Sequence, residues 1–120
     1  MDSKTEQLLK RTKDFAVRVV KLFRSLSRSP GGQTLGKQLL RSGTSVAANY
    51  RAACRARSRA EFVARIGVVA EEADESALWI ELLSDSGIMK KERLAELLTE
   101  ARELTAIFTA SRQTAKQKWM

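Results

Sequence analysis

The chain has 120 residues, 43% of them apolar, and sets 22 Lys and Arg against 14 Asp and Glu with no His, for a formal net charge of +8. That length suits one domain with one modest core. No His and a single Cys exclude His-dependent triads, Glu-x-x-His di-iron bundles and a thiolate zinc site.

No apolar run of about 18 residues is present to span a membrane. "MDSKTEQLLK" has no apolar signal core, and one cysteine makes no intramolecular disulfide, so the cytoplasm is the expected location. One Pro and six Gly favour helices over sheets. The charge is uneven: residues 1–60 carry 14 Lys and Arg against 3 acids, and residues 61–120 carry 8 against 11. A strongly cationic half points to an anionic partner, or to pairing between halves of neighbouring subunits.

Four stripes follow in chain order. Leu8, Thr12, Phe15, Val19, Leu22 and Leu26 recur at spacings of four and three, the one-sided period of an amphipathic helix. "SRSPGGQ" stops it. Leu35, Leu39, Ser42, Val46, Asn49 and Ala53 continue the period with small members. Ser42 and Asn49 need hydrogen-bond partners if buried, and Gly43 costs up to about 1 kcal/mol against Ala. One continuous helix is read through "SGTS", with a break there as the alternative. In the third segment Ser58 and Glu61 have capping-box spacing. Phe62, Ile66, Val69, Ala73, Ser76, Ile80 and Leu83 keep the period until "SDSG", where Gly87 suits a left-handed cap. The fourth stripe is Leu94, Leu97, Ala101, Leu104, Phe108 and Ser111. The expected helices are 4–28, 33–57, 59–85 and 90–113, with 114–120 frayed. Joined by short connections, they predict an all-α, up-down-up-down antiparallel four-helix bundle as a single domain over 1–120.

With about 100° per residue and an unbroken second helix, Lys37, Arg41, Arg51 and Arg55 form one row opposite the apolar stripe, with no acid on it. Thr44 and Ala48 lie between them; Arg57 points elsewhere and Arg59 begins the next helix. Like charges at this spacing repel by a few tenths of a kcal/mol, so a one-signed row has a use. Phosphate binding is one, through release of counterions. The other is an acidic row on a neighbouring subunit, such as Glu71, Glu72, Asp74 and Glu75. An ordinary solvated face is the plain alternative. The candidate nucleic-acid contacts are therefore Lys37, Arg41, Arg51, Arg55, Arg57 and Arg59. The candidate subunit contacts are Glu71, Glu72, Asp74, Glu75 and Trp79.

Other groups are weaker. Cys54, among arginines, reads as a reactive thiol or as a small residue on a bundle flank, the second being favoured. Tyr50 is a weak candidate for base stacking; Trp79 suits a core or interface better. The carboxylates of "EEADESALWIELL" lack the companions of a metal site, and "SPGGQT" is a linker rather than a phosphate loop. No catalytic residue, cofactor or metal is expected.

"LLRSGTSVAANYRAACRARSRAEFVARIGVVAEEADESALWIELL" (39–83) resembles the four-helix bundle family of the 23S rRNA-intervening-sequence proteins. The resemblance runs from "DFAVRVVKLFRSL" to about Phe108. It rests on Arg41, Ser45, Val46 and Asn49, then Ser58, Glu61 and Phe62, then Glu71, Glu72, Asp74 and Glu75. Many members read Asn-Ile-Ala-Glu-Gly where this chain has "NYRAA", so Arg51 is added and the usual Glu and Gly become Ala52 and Ala53. The resemblance implies a bacterial, non-enzymatic homopentamer. It is also similar to the accessory protein of diversity-generating retroelements, which implies nucleic acid, or a protein such as a reverse transcriptase, as partner.

Overall fold

The computed structural model describes residues 2–26 and 28–118. Four helices follow one another, α1 (Ser3–Ser25), α2 (Pro30–Ala53), α3 (Arg59–Asp85) and α4 (Lys91–Gln117), with no strand among the described residues. Three begin on side-chain caps that satisfy otherwise orphaned N–H groups. Asp2 accepts from the Thr5 N–H at 2.7 Å, Ser29 from Gly32 at 3.2 Å and Ser58 from Glu61 at 3.1 Å. The fourth starts after Lys90 with no side-chain cap.

The boundaries differ from expectation by more than one residue in four places. α1 stops at Ser25 rather than residue 28, because Leu26 turns extended and buries itself. α2 starts at Pro30 rather than residue 33; proline at the first helical position has no N–H to waste and a φ already suited to the helix. Thus the Ser-Pro of "SPGGQ" opens the second helix rather than stopping the first. α2 stops at Ala53 rather than residue 57, where the Arg55 and Ala56 N–H groups fall back to the Ala52 and Ala53 carbonyls at 3.0 and 3.1 Å. α4 runs to Gln117, so 114–117 are helical rather than frayed. Helix formers such as Ala115, Lys116 and Gln117 carry it on, and Ala115 is half-buried. Trp119 and Met120 lie outside the described residues.

The continuous reading of "SGTS" holds, since α2 passes through Gly43 unbroken. Gly87 takes φ +79°, as its cap position requires, and the Met89 N–H reaches back to the Leu83 carbonyl at 3.1 Å. The capping box is displaced by one residue: the Glu61 carboxylate accepts from the Arg57 N–H at 3.0 Å.

The stripes meet as the core. Phe15, Val19, Leu39, Val46, Ile66, Val69, Ile80, Leu83, Leu94, Leu104 and Phe108 are fully buried. Buried hydroxyls are satisfied: Thr12 donates to the Leu8 carbonyl at 2.8 Å, and Ser42 and Ser76 share a 2.8 Å bond across α2 and α3. Asn49, half-buried, donates to the Ser45 carbonyl at 2.9 Å. Gly43 has a packing reason, for a Cβ there would meet the Val19 side chain at 2.8–3.1 Å; α1 and α2 approach closely because it is absent. Cross-helix pairs such as Val19 with Gly43, Ser42 with Ser76 and Glu81 with Arg102 set antiparallel neighbours. The bundle measures 48 × 23 × 21 Å. Its loosest seam, α1 against α4, is spanned by Arg11, whose guanidinium donates to Glu100 at 3.0 and 2.5 Å and to Glu103 at 3.0 Å.

Candidate nucleic-acid interface

The six candidate cations separate into three groups. Lys37, Arg51 and Arg55 are exposed and make no ion pair among the described residues. Lys37, Thr44 and Arg51 are seven residues apart, so they share a side of α2, and Arg51 and Arg55 line a groove between α1 and α2. Arg55 does so from the turn after α2, since the helix has ended at Ala53. The expected unbroken helical row is thus corrected, although Arg55 still reaches the same face.

Arg41 is different. It donates to Glu72 at 2.8 Å and also pairs with Glu75, both on α3 of the same chain. The hydrogen bond to Glu72 raises the guanidinium pKa, against an opposing effect of burial. Arg57 and Arg59 sit at the end of the bundle with Asp2, Thr5 and Phe62. Arg57 is tied locally to Glu61, with 4.0 Å between Nε and the carboxylate, whereas Arg59 has no ion pair among the described residues.

The acidic candidates divide as well. Glu72 and Glu75 are spent on Arg41 within the chain. Glu71 and Asp74 remain exposed on the outward side of α3, near Val68, Leu78 and Leu82, which are exposed apolar residues. Trp79 is half-buried against the core, and its indole N–H is buried without a partner among the described residues.

One reading of a single residue is corrected. Tyr50 is only 5% exposed and stacks at a tilt on Phe108, ring centroids 5.0 Å apart, so it offers no free platform for bases. Burial, then the neighbouring Cys54, raises its hydroxyl pKa. Cys54 is exposed on the flank of the bundle, where α2 ends beside it. No group of three or more His, Cys, Asp or Glu is placed to hold a metal among the described residues, and no helix there is long and apolar enough to cross a membrane.

The α2 row alone does not describe the groove. α1 supplies Leu9, Thr12 and Lys13, and α2 supplies Thr44, Ala47 and Ala48 beside Arg51, Cys54 and Arg55. Its lining is largely apolar and carries three cations and no acid. Lys13 was missed because α1 was read for its buried stripe only. The spacing of Lys13, Val17, Val20 and Arg24 is the signal that marks the other side of that helix.

The sequence matches the 23S rRNA-intervening sequence protein family over residues 4–110. The chain belongs to that family. This 23S rRNA-intervening sequence family member is also similar to a crystal structure from Bacteroides thetaiotaomicron, described as a protein with unknown function from the S23 ribosomal protein family. The two share 31% identity and a TM-score of 0.84, over 92% of this chain and 98% of that one. A search of curated proteins returned no match.

Proposed function

We propose that this protein is a non-enzymatic, oligomeric, cytoplasmic bundle of bacterial origin that binds RNA or DNA backbone through the α1–α2 face. The observation that carries the reading is the split among the cations. Arg11 and Arg41, which reach acids on α4 and α3, are neutralised. Lys37, Arg51 and Arg55, which point away from those acids, are exposed with no ion pair among the described residues, and Lys13 faces Arg51 and Arg55 across the groove. Unpaired cations of one sign suit phosphates, and contacts of that kind carry little sequence information.

The test is titration against a labelled RNA and a labelled DNA duplex at two salt concentrations, with mass in solution recorded. Binding that weakens by orders of magnitude on a modest rise in salt is expected. An oligomer that binds neither, even at low salt, overturns the reading.

A second reading has its own support. The outward side of α3 carries Val68, Leu78 and Leu82 beside exposed Glu71 and Asp74. That apolar and acidic face suits a neighbouring subunit, in the homopentamer that the resemblance implies, or a protein partner such as a reverse transcriptase. If an Arg51→Ala, Arg55→Ala, Arg59→Ala variant turns monomeric, the cations serve assembly.

A further inference from the structure

Phosphate binding explains the cations of the α1–α2 groove but not its floor. Leu9, Thr44, Ala47 and Ala48 form an apolar strip between Lys13 on one helix and Arg51 and Arg55 on and after the other. Resting on the backbone-binding reading, we propose that this groove takes unstacked bases of a single-stranded RNA or DNA while its phosphates lie on the flanking cations.

A duplex presents two phosphate rails and keeps the flat faces of its bases inside the stack. Docked on this face, it leaves the apolar strip without an apolar partner. A single strand turns its bases outward and covers the strip, which removes apolar area from water. The floor suits flat rings, because Ala47 and Ala48 are short and let a ring approach the helix. Arg51 and Arg55 add guanidinium planes on which bases stack. Apart from its cations, the groove offers few readers of base edges. The Thr12 and Thr44 hydroxyls donate to their own helices, to the Leu8 and Leu40 carbonyls at 2.8 and 2.7 Å. The other floor residues are apolar, so recognition is tolerant of sequence.

The chemistry extends along the bundle. On α1, Lys13, Val17, Val20 and Arg24 follow at spacings of four, three and four, and Val17 and Val20 are 43% and 37% exposed. On α2, Lys37 precedes Thr44 and Ala48 on the same side. Cations thus flank apolar surface along both helices.

The experiment compares a labelled single strand with a duplex of the same length at one low salt concentration, on the intact protein and on an Ala47→Gln, Ala48→Gln variant. Mass in solution is recorded for both proteins. Ala48→Gln alone, at an exposed position, serves if the double variant is unstable. Cys54 lines the groove and is the sole cysteine, so its alkylation by neutral iodoacetamide reports on occupancy. The expected result is single-strand binding on the order of 10-fold tighter than duplex binding, slowed alkylation with the single strand only, and loss of the preference in the variant with duplex affinity unchanged. Duplex binding as tight as single-strand binding, or a variant that keeps the preference, overturns the groove and leaves the backbone reading standing. Failure of both nucleic acids to bind overturns both. A variant that changes in mass assigns the groove to a second copy. An acidic amphipathic peptide that alone protects Cys54 assigns it to a protein; either result overturns the inference.

Discussion

The α1–α2 layer and the α3–α4 layer follow the same helical period, yet their outer sides differ. The first presents Lys13, Arg51 and Arg55 around an apolar groove, with Lys37 exposed further along α2. The second presents Glu71 and Asp74, with Arg112 of α4 near them, beside exposed Val68, Leu78 and Leu82. Where the layers meet, the charges cancel: Arg41 with Glu72 and Glu75 on one flank, Arg11 with Glu100 and Glu103 on the other. Part of the cationic excess therefore joins the layers, and only the outward remainder is free for a partner. A charge count on the sequence does not separate these two populations; the position of each arginine relative to the neighbouring helix does.

Substitutions sharpen the contrast between what holds the layers together and what faces out. Phe108 of α4 is fully buried and stacks on Tyr50 of α2, across the layers. Phe108→Ala is expected to cost about 3–5 kcal/mol of unfolding free energy, measurable by denaturant titration. A loss below about 1 kcal/mol would mean the layers do not share one core. Gly43→Ala forces a Cβ onto Val19. Overpacking of about 1–3 kcal/mol should outweigh the helix-propensity gain of about 1 kcal/mol, and a rise in Tm would show that the α1–α2 seam is looser than described.

Tyr50 gives the pH test. Its pKa is raised by burial from an ordinary value near 10, so the folded state holds the phenolic proton more tightly than the unfolded state does. That stabilisation is full below pH 10 and fades as pH rises above it, by up to about 1.4 kcal/mol per pH unit. Tyr50→Phe should remove this part of the alkaline loss. Since Tyr50 is the sole tyrosine, tyrosinate absorbance follows it alone, and an ordinary titration near pH 10 would contradict its burial. Smallest is Arg41→Ala, at a side chain 48% exposed: it should cost less than about 1 kcal/mol and leave nucleic-acid binding nearly unchanged.

All four buried stripes were legible in the sequence, because a helix on the rim of a bundle must show one apolar side. Leu8 to Val19, Leu39 to Val46, Ile66 to Leu83 and Leu94 to Phe108 are buried as the period requires. The ends were less legible. Pro30 reads equally as a stop or as a first helical residue, and the end of α2 at Ala53 is marked by no proline or glycine. Tyr50 lies beside the counted stripe and was missed as core; its ring reaches Phe108 only after the helices pack. The site was half legible. The α2 cations stand on one side by counting alone, but their division into paired and free depends on α3, and Lys13 enters from α1, a helix that Gly43 lets pack close against α2. The acids of α3 were read together, yet two of the four face inward to Arg41 and two face out.

The central claim is that the outward cations, and not the paired ones, meet phosphate. The measurement that tests it most directly is the slope of log affinity against log salt for an RNA, taken for the parent, for Arg51→Ala, Arg55→Ala and for Arg41→Ala. Each phosphate contact contributes about 0.7–0.9 to the slope. The double variant should therefore flatten it by about 1.4–1.8, while Arg41→Ala leaves it close to the parent. Equal slopes for parent and double variant, or the larger change in Arg41→Ala, would contradict the account.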